Sequence, residues 1–174
     1  MNWEAIGAIA EVIGVVAVIA TVVYLSMQIK QSNRQQSAEA VKNAVKEFVD
    51  TYAAVTSDEK AAENFIEGLN RFGDLDRTTR AVFQSKMQLL TNGYYQVWTL
   101  YKSGMLLDEP LYRKSECLYL SFVLAPGGRQ WWESMKHLPP ETLAIHIDGR
   151  LNEPNLGVTP ANEDLDWFRG EERE

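Results

Sequence analysis

From Ala5 to Ile29 the chain carries one charged residue, Glu11, and from Val15 to Val23 it is apolar on every side of a helix. Twenty-five helical residues span about 37 Å, enough to cross a hydrocarbon layer of about 30 Å with some tilt. The uncharged part, Val12 to Met27, covers only about 24 Å, which places Glu11 within one interface rather than at mid-membrane. A helix on the surface of a soluble domain is not apolar all round. A cleaved leader wants a basic start and a small-residue cleavage site, whereas Met1-Asn2-Trp3-Glu4 is acidic and Tyr24-Leu25-Ser26-Met27-Gln28 suits cleavage poorly. Residues 1–30 therefore read as an uncleaved transmembrane anchor with the lipid bilayer as its partner.

Flanking charge sets the expected orientation. No Lys or Arg precedes the span, while Lys30, Arg34, Lys42 and Lys46 follow it. Basic residues stay on the cytoplasmic side, so the expectation is a single-pass protein of a cell inner membrane, N-terminus outside and the remainder cytoplasmic. Trp3 and Tyr24 stand where interfacial rings are favoured. Within the span, Glu4, Gly7, Glu11, Gly14, Val18, Thr21, Leu25 and Gln28 recur at alternating spacings of three and four. That is one helical seam of small and polar residues, opposite a face of Ile and Val. In lipid, small residues allow close approach and polar ones find partners, so Gly7, Glu11, Gly14, Thr21 and Gln28 form a candidate homo-oligomer seam. Its sharper form is a cation-conducting pore lined by Glu11 and Thr21.

Downstream, the periodicity predicts an all-α cytoplasmic domain over 31–151, a bundle of about five helices that the transmembrane helix enters directly. No Gly or Pro occurs between Val15 and Glu67, and Ala38, Val41, Val45, Phe48, Tyr52 and Val55 make a core stripe ending near Thr56. Ser57 reads as the cap of a short helix ending near Gly73. A long helix follows from about Asp76 to Ser103, with Phe83, Met87, Leu90, Tyr94, Val97 and Tyr101 on one seam and Gly93 allowing a close neighbour. Asp108 and Pro110 open another, expected to turn Leu111, Leu118 and Phe122 inward. Ala125-Pro126-Gly127-Gly128 interrupts; a short helix with Trp131 and Trp132 and one from Pro139-Pro140-Glu141 to Gly149 complete the bundle. Residues 152–174 turn to Pro, Asn, Gly and acids, an expected flexible tail in which Leu165, Trp167 and Phe168 could anchor a contact.

Charge refines this picture. The chain of 174 residues has 17 Lys and Arg against 24 Asp and Glu, a net −7. Residues 153–174 alone hold seven acids and two bases, so no basic face remains for phosphates and a nucleic-acid partner is disfavoured. The single Cys117 excludes an internal disulfide and, within Cys117-Leu118-Tyr119-Leu120, reads as a packed thiol.

Candidate chemistry is sparse. His137 and His146 lie on different expected helices and neither follows a Glu at the spacing of di-iron bundles. No zinc spacing, nucleophile elbow or phosphate loop occurs, so no catalytic residue, cofactor or metal is expected. Gly127-Gly128-Arg129 before a helix fits an anion site less well than a tight turn. Trp131 and Trp132 point about 100° apart, one expected in the core and either offering a partner contact, as do Trp167 and Phe168.

Trp3-Glu4-Ala5-Ile6-Gly7-Ala8-Ile9-Ala10-Glu11, Tyr24-Leu25-Ser26-Met27-Gln28-Ile29-Lys30-Gln31-Ser32 and Pro126-Gly127-Gly128-Arg129-Gln130-Trp131-Trp132-Glu133 together resemble a set of small bacterial single-pass membrane proteins of uncharacterised role. The resemblance covers roughly residues 1 to 150 and implies an N-terminal anchor with a helical cytoplasmic domain. It brings no activity and no site residues, and Lys30 stands where such proteins often carry Arg. The expected role is thus a non-enzymatic, membrane-anchored module that self-associates through its transmembrane helix and offers its bundle to a protein partner. A channel and an enzyme with an unrecognised site are the alternatives.

Overall fold

The computed structural model describes residues 3–55 and 58–164, with only the backbone described at 3–10, 12, 55 and 164. Among the described residues the protein is all-α. Seven helices run α1 (Trp3–Val55), α2 (Glu59–Arg71), α3 (Arg77–Lys102), α4 (Glu109–Leu124), α5 (Pro126–Met135), α6 (Glu141–Leu151) and α7 (Ala161–Asp164), with a 3-10 turn at Phe72–Asp74. Two compact units divide between Ala40 and Val41. The sequence places the boundary ten residues earlier, at 30/31. Residues 30–40 between the two positions are helical and almost wholly exposed.

The first unit is the beginning of α1. Its large apolar side chains from Ile13 to Ile29 are 48–67% exposed among the described residues. The helix is long and apolar enough to cross a membrane.

The second unit is a bundle centred on α3, which buries Phe83, Met87, Leu90, Thr91, Gly93, Tyr94, Val97 and Trp98. Asp76 caps it by accepting from the amides of Thr78 and Thr79, satisfying two N–H groups that a helix start leaves free. Around it α2 packs on α5 and α3, α4 on α3 and α5, and α6 on α4. From α1, Ala44 and Phe48 are buried, and Val41, Val45 and Tyr52 lie half-buried against the core. A Cβ on Gly93 would come within 3.0 Å of the Phe48 ring, so glycine there does permit a close helix contact.

Four details differ from the expectation. Asp58, not Ser57, caps α2, accepting from the Ala61 amide; Ser57 itself lies outside the described residues. In α4 the buried face is Tyr112, Ser115, Glu116, Tyr119, Leu120, Phe122 and Val123, while Leu111 and Leu118 are only half-buried. The same rotation leaves Cys117 exposed rather than packed. Finally, the first part of the expected flexible tail packs on the bundle: Leu156, Val158 and Ala161 are partly buried against the core, and α7 lies against α2 and α4.

Candidate functional site

The bundle's most concentrated chemistry surrounds one carboxylate. Glu116 sits on the inward face of α4 with its side chain 6% exposed. A buried carboxylate is costly unless hydrogen-bonded and paired, and here both oxygens are engaged. Oε1 accepts from Tyr112 Oη at 2.7 Å and Tyr94 Oη at 3.2 Å. His146 Nε2 lies 2.9 Å from the same oxygen. Since an ionised carboxylate only accepts and both tyrosine protons point to it, Nε2 of His146 must carry a proton and donate. Oε2 pairs with Arg150 Nη2 at 3.1 Å, and Arg150 also pairs with Glu153.

Aromatic rings wall the cluster. Tyr94 stacks on Tyr119 at 4.7 Å, Tyr101 on Tyr112 at 3.9 Å, and Trp98 lies 5.7 Å from the His146 ring. Beneath them Thr91 donates to the Met87 carbonyl, so the 3.0 Å contact between Thr91 and Tyr119 has the tyrosine as donor. Burial works to raise the Glu116 pKa, but bonds from His146 and Tyr112 and the Arg150 charge outweigh it and lower it to about 2. Burial raises the Tyr94 and Tyr112 pKa values, and the adjacent Glu116 reinforces the shift. Burial likewise raises the Tyr119 pKa. His146, Tyr112 and Arg150 together hold Glu116 as an anion inside the bundle.

A second feature is an open groove of about 530 Å³ between the α1 part of the bundle and α3, lined by Asn43, Glu47, Asp50, Thr51, Lys86 and Leu89 among others. Its Lys46 pairs with Asp50, and Lys86 donates to the Ala61 carbonyl at 3.0 Å. Among the described residues no three His, Cys, Asp or Glu side chains are placed to hold a metal ion.

The residues singled out from sequence fall in three groups. Gly7, Glu11, Gly14, Thr21 and Gln28 all lie on α1, and Glu11, Thr21 and Gln28 are exposed. Thr21 donates to the Ala17 carbonyl at 2.8 Å and Gln28 to Tyr24 Oη at 3.1 Å, so each has a partner on its own helix. Trp131 and Trp132 are 1% and 0% exposed. In the packed bundle neither is exposed to a partner. Both fill the core, and Trp132 Nε1 donates to Asp148 at 2.7 Å. Trp167 and Phe168 lie outside the described residues. The Gly127-Gly128 pair holds no open anion site, because a Cβ on either would come within 1.9 Å of a backbone oxygen, that of Gly68 or Phe122.

Sequence reasoning missed Glu116, Tyr112 and Arg150 and weighed His146 only as a metal ligand. Their one local signal is Tyr112-x-x-x-Glu116, a helical pair that says nothing of partners 30 residues away. Compared with known proteins, the chain matches no family model, no curated protein and no solved structure.

Proposed function

We propose that this chain is a single-pass membrane protein whose role is binding rather than catalysis. Residues 5–29 cross the bilayer with the N-terminus outside, and the bundle works in the cytoplasm. The carrying observation is the apolar surface of α1 from Ile13 to Ile29, which stays exposed among the described residues. An apolar area of that size needs a non-aqueous surrounding, and length and composition both match a bilayer. Thr21 and Ser26 return their hydroxyl protons to carbonyls four residues earlier, the device that lets hydroxyls sit in lipid. Lys30 and Arg34 at the exit favour the cytoplasmic side.

A binding role fits the bundle's chemistry, since the one carboxylate buried among the described residues has its oxygens engaged by the protein itself. Self-association through Gly7, Glu11, Gly14, Thr21 and Gln28 completes the reading. Alkaline carbonate washing of membranes is the first test. The full chain should stay in the pellet, and a chain beginning at Gln31 should move to the supernatant. Full-length protein released by carbonate would end the anchor reading. A C-terminal fluorescent fusion that folds only in the cytoplasm tests the orientation; a dark but expressed fusion would reverse it.

A further inference from the structure

Within the bundle α6 packs chiefly against α4. It lies between Pro139-Pro140 and the loop containing Gly157, whose φ of +67° only glycine adopts without strain. Its start has no side-chain cap. An isolated helix of eleven residues is marginal in water, so α6 is ordered by docking and not by its own propensity. Two side chains, Leu143 and Ile147, are fully buried. Most side-chain bonds that tie α6 to other helices converge on two carboxylates, and His146 Nε2 also lies 3.2 Å from Tyr94 Oη and 3.3 Å from Tyr112 Oη. Asp148 holds Trp132 and Lys136, while Glu116 holds His146 and Arg150. The groups facing Glu116 are Tyr94 on α3, Tyr112 on α4 and His146 and Arg150 on α6, with Glu153 beyond Arg150.

We propose that α6 is a latch, fastened by Glu116, that swings from the bundle as one unit and bares the aromatic wall of Tyr94, Trp98, Tyr112 and Trp132 while α2 to α5 stay folded. One residue then controls several bonds. Glu116→Gln replaces two charged acceptor oxygens with one neutral oxygen and an NH2 donor, so it removes the ion pair with Arg150 and cannot accept from both His146 and Arg150 as the carboxylate does, which favours release over retention. The latch rests on the bundle's geometry alone and stands or falls apart from the anchor.

Native-state hydrogen exchange of the full chain in detergent micelles, read by mass spectrometry, tests it. In the unmodified protein the amides of residues 144–151 should open with a weak denaturant dependence, and those of residues 87–98 only with the strong dependence of global unfolding. Glu116→Gln should speed exchange at 144–151 at least tenfold and leave 87–98 unchanged. Arg150→Gln, which touches the cluster from its half-exposed edge, should act in the same sense. If the two segments of the unmodified protein open together, α6 is part of one cooperative core and the latch is wrong. A Glu116→Gln protein that accelerates both segments equally, or neither, overturns it too.

Discussion

The start of α1 and the bundle use similar residues in opposite ways. Between Ile13 and Ile29, Ile, Val and Leu point outward and polar groups bond back to their own helix. In the bundle the large apolar groups turn inward, and a carboxylate, an imidazole, a guanidinium and two phenols gather in the interior around one another. Burial in the bundle comes from the chain itself, whereas the apolar side chains of the first unit stay exposed among the described residues. The difference teaches that the same side chain can build a core in one unit and, on the proposed reading, meet lipid in the other.

Paired substitutions put the largest numbers on this contrast. Phe83 is 1% exposed and touches the rings of Phe65 and Phe72. Phe83→Ala should cost the bundle about 3–5 kcal/mol, the range for a large aromatic cut from a packed core. Ile19 is 58% exposed, and Ile19→Ala should leave bundle stability within about 0.5 kcal/mol. Glycines give the same contrast. A Cβ at Gly127 would meet the Gly68 carbonyl at 1.9 Å, so Gly127→Ala forces backbone apart where α5 crosses α2 and should cost about 3 kcal/mol or more. Urea midpoints followed by fluorescence of the buried Trp131 and Trp132 would measure all three. An Ile19→Ala protein as destabilised as Phe83→Ala would erase the distinction between the units.

Acid should expose the polar interior next. The ordinary carboxylate pKa of 4.5 falls to about 2 for Glu116 in the folded bundle. Below pH 4.5 the unfolded chain takes up a proton that the folded one refuses, so this stabilisation is complete above that pH and fades as pH drops toward 2. The total is roughly 3 kcal/mol at 1.36 kcal/mol per unit. Glu116→Gln should be less stable at pH 7 and lose correspondingly less between pH 5 and 2. Parallel stability curves for the two proteins over that range would show that the carboxylate is not held as the geometry indicates.

How much of this is legible in the chain follows from the range of each interaction. The α3 seam from Phe83 to Val97 can be read directly because its members are apolar and repeat within one helix. The face of α4 cannot. Counting polarity turns Leu111 and Leu118 inward and Tyr112 and Glu116 outward, yet a tyrosine ring fills a core well and Glu116 enters because distant donors satisfy it. Those donors sit on α3 and α6, and no local pattern relates the three helices. Cys117 is exposed for the same reason, being one residue past the true inward position. Trp131 and Trp132 defeat the one-in, one-out expectation because α5 is short and enclosed, its glycines pressed against α2 and α4.

The smallest effect on folding should come from Gly14, and it bears on the proposed seam. Within one chain a Cβ at Gly14 would meet nothing inside 4 Å, so Gly14→Ala should leave the bundle's unfolding unchanged within about 0.5 kcal/mol. Association is another matter. In lipid, helices gain nothing from apolar contact alone, and small residues work by letting backbones approach. Gly14→Leu adds bulk on the seam and should weaken self-association about tenfold, or about 1.4 kcal/mol. Val16→Leu adds a methylene on the opposite face and should leave association as it was. Mass photometry of the detergent-solubilised proteins would decide between them. Equal behaviour of the two variants, or a strictly monomeric parent, would sink the seam while leaving the anchor standing, because crossing a bilayer requires only an apolar helix and pairing within it requires a particular face.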